Sequence, residues 1–589
     1  MQSLRTLARG RAGEQKRWEL GSSGRGLRVA GWETQGFVGY FRIGTRLSLP
    51  NLDWRRFQLS WKRMKQVIKL LHSVSFCGAI LLMPLLAHSA ASKPTVWVVS
   101  GMERVGREDE PQEKHRIELF AARGEYEPFQ IVIRARAKRL TNVNLTLSDL
   151  RGPKGAVIGK DNLIAYREHY VHVEYGSPER KGTAQPPLGP GWYADALVPF
   201  LDPASGKPPV NSKIHAAPFD VELGKNQPLW IDVSVPRNAV RGRYHGSFRV
   251  TSDQGSATGD LELTVWSFEL PLKPSLDSSF MLWKDKSAAA CETILRHKLM
   301  PTPVPMESAM RFVEKYQLSS INIGLSSGAD YNHGNMSPAP SVEAIQTIAR
   351  QFPSGPLLYN YTADEIVEFP DLYPVIKAWA RNLHSAGILN LITMAPVPEL
   401  FDDGSGSGRS AVDIWVLQPG YYEASPQNVA GVLKKGDRAW TYTALVQDDH
   451  SPQWEIDFSP MHYRVMQGFI NQSLGFTGLL YWAVDSWTKD PWNDVDTYPT
   501  GSDHYPGEGM LVYPGEDVGV QGTVPSLRLK WIREGVEDYE YIELMKKAGK
   551  ADLALELARQ LGQDFRHWNA DPKLLFELRR RMGEALDKH

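Results

Sequence analysis

Cysteine is nearly absent from this chain, with only Cys77 and Cys291 in 589 residues. Two thiols with no neighbouring ligand pattern exclude a disulfide scaffold and a cysteine-based metal or redox motif. Cys291 reads as a small buried apolar residue on a helix. Long hydrophobic runs are missing too. The apolar stretch Val74 to Ala87 falls short of the about 20 residues that a membrane-spanning helix needs. No excess of one charge exists overall, with 67 Lys+Arg against 67 Asp+Glu. No Gly-x-Gly-x-x-Gly loop follows a strand-like run, and no histidine cluster stands out. These absences argue against a dinucleotide site, and nothing in the sequence implies a metal or organic cofactor.

The zero net charge conceals a split. Residues 1–63 hold 13 Lys+Arg and 4 Asp+Glu, and Lys65 and Lys69 add two more positive charges. The remainder carries 52 basic and 63 acidic residues, a net of −11. A nucleic-acid-binding surface is therefore not expected on the main body. From Met64, a basic start, the apolar stretch and the small residues Ser89-Ala90-Ala91 follow in the order of a secretory signal peptide. The expectation is export to the periplasm or beyond, with cleavage near Ser89 to Ala91. Residues 1–63 then read as a non-native or disordered extension ahead of the true start, and 64–91 as the signal. An authentic basic segment with an internal anchor is the alternative.

Aromatics are plentiful, with 18 Trp and 22 Tyr. From residue 93 to 272 short alternating runs recur, among them Thr95 to Val99, Phe129 to Arg134, Trp230 to Val235 and Leu261 to Trp266. Period-two alternation broken by turn residues predicts an all-β part, a β-sandwich. After the linker-like Leu270 to Ser275 the rhythm becomes strand then helix. Seven or eight such units over 276–548 predict a (β/α)8 TIM-like barrel, with a doubly wound sheet as the competitor. Residues 549–589 read as a C-terminal helical tail, in which Asp571-Pro572 starts the last helix.

Chemistry on a barrel collects at the C-terminal ends of its strands. The run Pro356 to Glu365 ends abruptly in the adjacent carboxylates Asp364 and Glu365. Other predicted strand ends offer Asp413 with Trp415, Trp440 with Tyr442, and Tyr481 and Trp482 with Asp485 and Trp487. A bowl of aromatics and carboxylates suits a carbohydrate, because a pyranose presents an apolar face and a polar edge. Two carboxylates are the usual apparatus of glycoside hydrolysis. Adjacent ones cannot flank a bond from opposite faces, but they suit a route in which a 2-acetamido oxygen of the sugar attacks its own anomeric carbon. Structural readings compete at each position. The pair can be a solvated helix start, the aromatics barrel core, and Asp413 and Asp457 helix or loop caps. The acidic run Glu534, Glu537, Asp538 and Glu540 reads as solvated or ion-paired. The loop Asp490 to His504 matches no EF-hand spacing and reads as a substrate-side loop.

The sandwich-then-barrel layout, the Asp364-Glu365 pair, the segment Gly478 to Trp487 (GLLYWAVDSW) and the segment Pro525 to Tyr541 (PSLRLKWIREGVEDYEY) resemble glycoside hydrolase family 123 over about residues 95–548. That resemblance implies an exo-acting β-N-acetylgalactosaminidase with substrate-assisted retention. Asp364 would hold the acetamido N–H, and Glu365 would protonate the leaving oxygen and then activate water. Trp440, Tyr442, Tyr481, Trp482 and Trp487 would shape the sugar pocket. A glycosidase of the same scaffold acting on another sugar, and a glycan-binding protein without catalysis, are the alternatives.

Overall fold

The computed structural model describes residues 93–587. The expected extension and signal peptide lie outside the described residues.

The alternating runs of the first part form two sheets. The five-stranded sheet runs, in spatial order, Thr95–Ser100, Tyr126–Arg134, Asn226–Ser234, Leu163–Val173 and Gly191–Pro199, all antiparallel. The seven-stranded sheet is built around Gly242–Ser252 and Gly255–Glu269, flanked by Arg116–Arg123 and Leu140–Leu147. Because side chains alternate along a strand, Phe129, Ile131 and Ile133 share one apolar layer with Leu119, Phe248 and Leu263 of the other sheet. The intervening residues of the first sheet face elsewhere. Trp230 and Tyr166 belong to the large core that includes the second half of the chain.

That half holds eight short parallel strands. Hydrogen bonding runs unbroken from Pro301–Thr302 through Asp277–Met281, Gly478–Tyr481, Arg438–Thr441, Ile414–Leu417, Leu389–Thr393 and Leu357–Asp364 to Ser320–Asn322. Strands consecutive in the chain are neighbours, apart from Pro301–Thr302 and Ser320–Asn322, and the first strand pairs with the last, Asp277 opposite Gly478 and Phe280 opposite Tyr481. This sequential closure rules out the doubly wound alternative, whose strand order reverses. The barrel is nearly closed. The seam without a ladder lies between Pro301–Thr302 and Ser320–Asn322, and Ser320 Oγ reaches past it to donate to the Ser278 carbonyl on the strand Asp277–Met281, at 2.9 Å. The interior is filled by Tyr359, Leu391, Ile414, Val416, Trp440 and Leu480. Gly478 is required there, since a Cβ would stand 2.2 Å from the Trp440 ring.

The helix Leu527–Lys547 is buried over most of its length. It is wedged between the five-stranded sheet and the barrel, and its charges are paired rather than solvated. Arg528 forms a two-pronged bond to Asp195, at 2.9 Å on each oxygen. Lys530 and Arg533 converge on Asp232. Burial alone would raise the Asp232 carboxyl, but Arg533 and Lys530 overcome it and hold it far below the ordinary range. Asp538 accepts from Arg464 at 2.7 and 3.0 Å and also from Arg579. The helix Pro572–Leu586 closes the chain, capped by Asp571 accepting from the Lys573 N–H.

Candidate active site

The strand Leu357–Asp364 carries a bulge. Its register against Leu389–Thr393 slips between Tyr361 and Ala363. In a regular strand residues three apart face opposite ways; the extra residue brings Tyr361 and Asp364 to one side. The Tyr361 hydroxyl donates to Asp364 Oδ1 at 2.7 Å, and the Thr393 hydroxyl donates to the same oxygen at 2.5 Å. Both bonds fall on Oδ1, so Oδ2 is left for a ligand. Burial raises the Asp364 carboxyl above its usual range, while Thr393 and Tyr361 pull it back.

Glu365 then adopts a left-handed backbone, φ 50° and ψ 42°. A non-glycine residue holds that conformation at a cost of about 1 kcal/mol. It is fixed by the Glu365 N–H, which donates to the Thr393 carbonyl and hydroxyl, both at 2.9 Å. The turn aims the Glu365 carboxyl across the barrel mouth. There Oε1 accepts from Gln418 Nε2 at 2.9 Å and from the Tyr442 hydroxyl. Burial first, and the Asp364 charge second, push the Glu365 carboxyl up to about 7 against the lowering effect of Tyr442. Near neutral pH it is an acid whose proton belongs on Oε2, because Oε1 already accepts two bonds.

The Tyr421 hydroxyl is raised by burial and then by the charges of Glu365 and Asp364, which places it beside the pair. Tyr498 is raised by burial and then by Tyr331, Glu508 and Glu365. The Tyr498 ring meets Trp482 edge-on at 6.0 Å, and the Trp482 indole N–H donates to Glu508. Glu508 is buried, and burial lifts its carboxyl to about 7. Tyr442 and Trp482, of the aromatics expected from sequence, thus stand with the acidic pair at one mouth.

The others are placed differently. Asp413 does not end a strand: the strand begins one residue later, at Ile414, so Asp413 lies at the opposite mouth. Its carboxylate is occupied there by His384 Nε2 at 2.9 Å, the Asn390 N–H at 2.7 Å and Arg409 Nε at 2.8 Å. Trp415 points outward between strand and helices, edge-on to Phe401 at 6.3 Å, with its N–H toward Asp437 at 3.3 Å. Trp440 fills the barrel interior against Tyr359 at 5.6 Å. Tyr481 is fully buried behind the wall, accepting from the Gly509 N–H at 3.0 Å. Trp487 donates its indole N–H to the Val512 carbonyl at 2.7 Å and packs on the loop core around Trp492. Among the alternatives weighed, Asp457 is structural, accepting from Ser177 N–H and Oγ at 2.8 and 2.6 Å. Asp485 receives three successive backbone N–H groups, from Trp283, Lys284 and Asp285. Among the described residues no group of His, Cys, Asp and Glu is arranged to hold a metal ion.

Sequence reasoning missed Tyr361, Thr393, Gln418, Tyr421, Tyr498 and Glu508. Gln418 and Thr393 carried a signal, since each closes or directly follows a barrel strand. Tyr498 lies within the loop Asp490 to His504 that reads as substrate-side, though it was not singled out there, and Glu508 lies just past that loop.

Two family descriptions match this chain, the glycoside hydrolase 123 N-terminal domain over residues 103–252 and the glycoside hydrolase 123 catalytic domain over residues 413–545. The chain thus carries both domains described for glycoside hydrolase family 123. It is a glycoside hydrolase of multidomain α/β build. The solved structure of a family 123 glycoside hydrolase from Clostridium perfringens is similar in fold, with a TM-score of 0.57 at 15% identity over 84% of this chain and 98% of that one. A β-glucuronidase from Parabacteroides merdae is far more distant, with a TM-score of 0.26 at 8% identity over 71% of this chain and 50% of that one. No curated protein sequence matches the chain. The catalytic-domain match begins at Asp413 and does not reach Asp364 and Glu365, whose roles rest on the geometry of the barrel mouth.

Proposed function

We propose that this chain is an exported, exo-acting glycoside hydrolase that removes terminal β-linked N-acetylgalactosamine with retention, through a cyclic oxazolinium intermediate. The observation that carries this reading is the division of labour in the pair. Glu365 is an acid near neutrality with one oxygen free, and Asp364 is its neighbour with one oxygen free. The fold is read as a β-sandwich over 93–272, a (β/α)8 barrel over 276–548 and a helical tail over 549–589. The layout of residues 64–91 supports export.

In the first step Glu365 Oε2 gives its proton to the glycosidic oxygen as the bond to the anomeric carbon breaks. The acetamido carbonyl oxygen of the same sugar closes onto that carbon. Positive charge spreads over the new ring, and Asp364 Oδ2 accepts its N–H and stabilises it. In the second step the Glu365 carboxylate takes a proton from water as the water attacks the anomeric carbon. The oxazolinium ring opens, and the sugar leaves with its original anomeric configuration. Tyr442 and Gln418 hold the other oxygen of Glu365, so that the acid keeps one orientation through both steps. The Clostridium perfringens enzyme that shares this fold is described for glycolipid glycan hydrolysis, which supports a glycan with a reducing-end lipid as the substrate class.

A panel of aryl β-glycosides tests the assignment. The reading expects turnover of the β-N-acetylgalactosaminide well above the β-N-acetylglucosaminide and the β-galactoside, and its loss in E365Q. Equal turnover of the β-galactoside, or near wild-type rates in E365Q, would overturn it.

A further inference from the structure

Tryptophan is enriched at binding surfaces, and a solvent-exposed ring at a functional mouth is a candidate platform for a ligand. Trp283 is 56% exposed. It stands just beyond the C-terminal end of the strand Asp277–Met281, on the face that carries the acidic pair. Other exposed aromatics are covered on their faces. Trp192 lies under the Arg107 guanidinium at 4.5 Å, and Tyr175 is stacked on His504 at 4.2 Å. Trp283 meets Trp482 only edge-on, at 5.3 Å and 77°. Among the described residues no cation or second ring is stacked on it.

Its position is nevertheless fixed. The Trp283 N–H donates to Asp485 Oδ1 at 2.8 Å, and the next two N–H groups donate to Oδ2 at 2.9 and 2.8 Å. Asp485 is fully buried, so the platform is anchored on the barrel rather than on a free loop. Trp482, the ring it meets, is itself held by its N–H bond to Glu508 and by Tyr498. Tyr498 feels the Glu365 charge. The rings therefore form one contiguous row, Tyr498 to Trp482 to Trp283, and Trp283 is the one open to solvent.

We propose that Trp283 forms an aglycone subsite, on which the sugar ring next to the cleaved residue stacks its apolar face. This rests on the glycosidase reading above and deepens it. Such a ring lies one sugar further from the catalytic acid than the terminal residue, its C–H face toward the indole and its hydroxyls toward water. Trp283 thereby selects substrates whose leaving group is a sugar rather than a small group.

The test compares two substrates with the same terminal β-N-acetylgalactosamine. One is a trisaccharide, and the other is the glycosyl fluoride, which has no ring in the leaving group. In W283A the ratio of kcat/KM for the trisaccharide over the fluoride is expected to fall about five- to ten-fold, with W283F recovering part of it. Loss of both rates in proportion would show that Trp283 only props Trp482, and an unchanged ratio would show that no sugar stacks there. Either result overturns the subsite while leaving the hydrolase reading in place. A wild-type chain inert on both substrates would instead overturn the N-acetylgalactosamine reading and the subsite with it.

Discussion

Tyr442, just past the end of one barrel strand, donates its hydroxyl across the mouth to Oε1 of Glu365, which follows another strand seventy-seven residues earlier. The bond favours the charged form of the acid, whereas burial and the Asp364 charge favour the neutral form, and the balance falls at about 7. On the proposed mechanism, that contest sets the pH dependence of the enzyme.

Loss of protonated Glu365 should give kcat/KM an alkaline limb near pH 7. Y442F removes the contribution that lowers the Glu365 pKa, so the limb moves to higher pH. D364N removes the charge that raises it, so the limb moves to lower pH, and the rate falls by about 10² to 10³ from loss of oxazolinium stabilisation. pH–rate profiles of the two variants check both directions; shifts of the same sign would contradict the assignment.

Glu365 also carries a stability signature. Its folded pKa of about 7 exceeds the ordinary glutamate value. The contribution is therefore fully present below the unfolded pKa of about 4.3 and is lost as pH rises through 7, on the order of 3 to 4 kcal/mol. E365Q abolishes this dependence. Thermal melts at pH 5 and pH 8 should show the variant gaining on the wild type at the higher pH.

The buried pair of Asp195 and Arg528 joins the all-β part to the helix Leu527–Lys547. Deleting only the carboxylate leaves a guanidinium uncompensated in the interior. D195A should lose about 3–5 kcal/mol in chemical denaturation, far more than a surface ion-pair deletion such as D517A, worth under about 1 kcal/mol. Similar losses in the two would refute the role given to the pair.

Trp415 tests the outward placement of its strand's odd face. W415F should cost on the order of 1–3 kcal/mol in stability and leave kcat/KM near wild type at a temperature where both are folded. A selective loss of kcat/KM with stability intact would return Trp415 to the sugar pocket.

The barrel order was legible because each short apolar run is followed by helix spacing, and the acidic pair because it ends such a run. The site's remainder was obscured by parity. In Ile414–Leu417 alternate residues face the interior and the helices, so Val416 lies inside and Trp415 outside. Starting the strand at Val412 rather than at Ile414 also moved Asp413 from one mouth to the other. Trp440 and Tyr442 share parity, yet only Tyr442 reaches the mouth; depth along the strand separates core from site. The bulge at Tyr361 to Ala363, which brings Tyr361 onto Asp364, left no mark in the sequence. The acidic run Glu534 to Glu540 was open between solvated and ion-paired. Its cationic partners Arg464 and Arg579 come from other helices, and only the assembled fold decides the point.

The central claim is that the sugar's acetamido group is the nucleophile, with Asp364 and Glu365 serving it. Inhibition by a thiazoline analogue of the cyclic intermediate, built on N-acetylgalactosamine, measures this directly. The account predicts competitive binding at least about 10²-fold tighter than N-acetylgalactosamine itself, and weakened in D364N. A thiazoline that binds no better than the free sugar would contradict it.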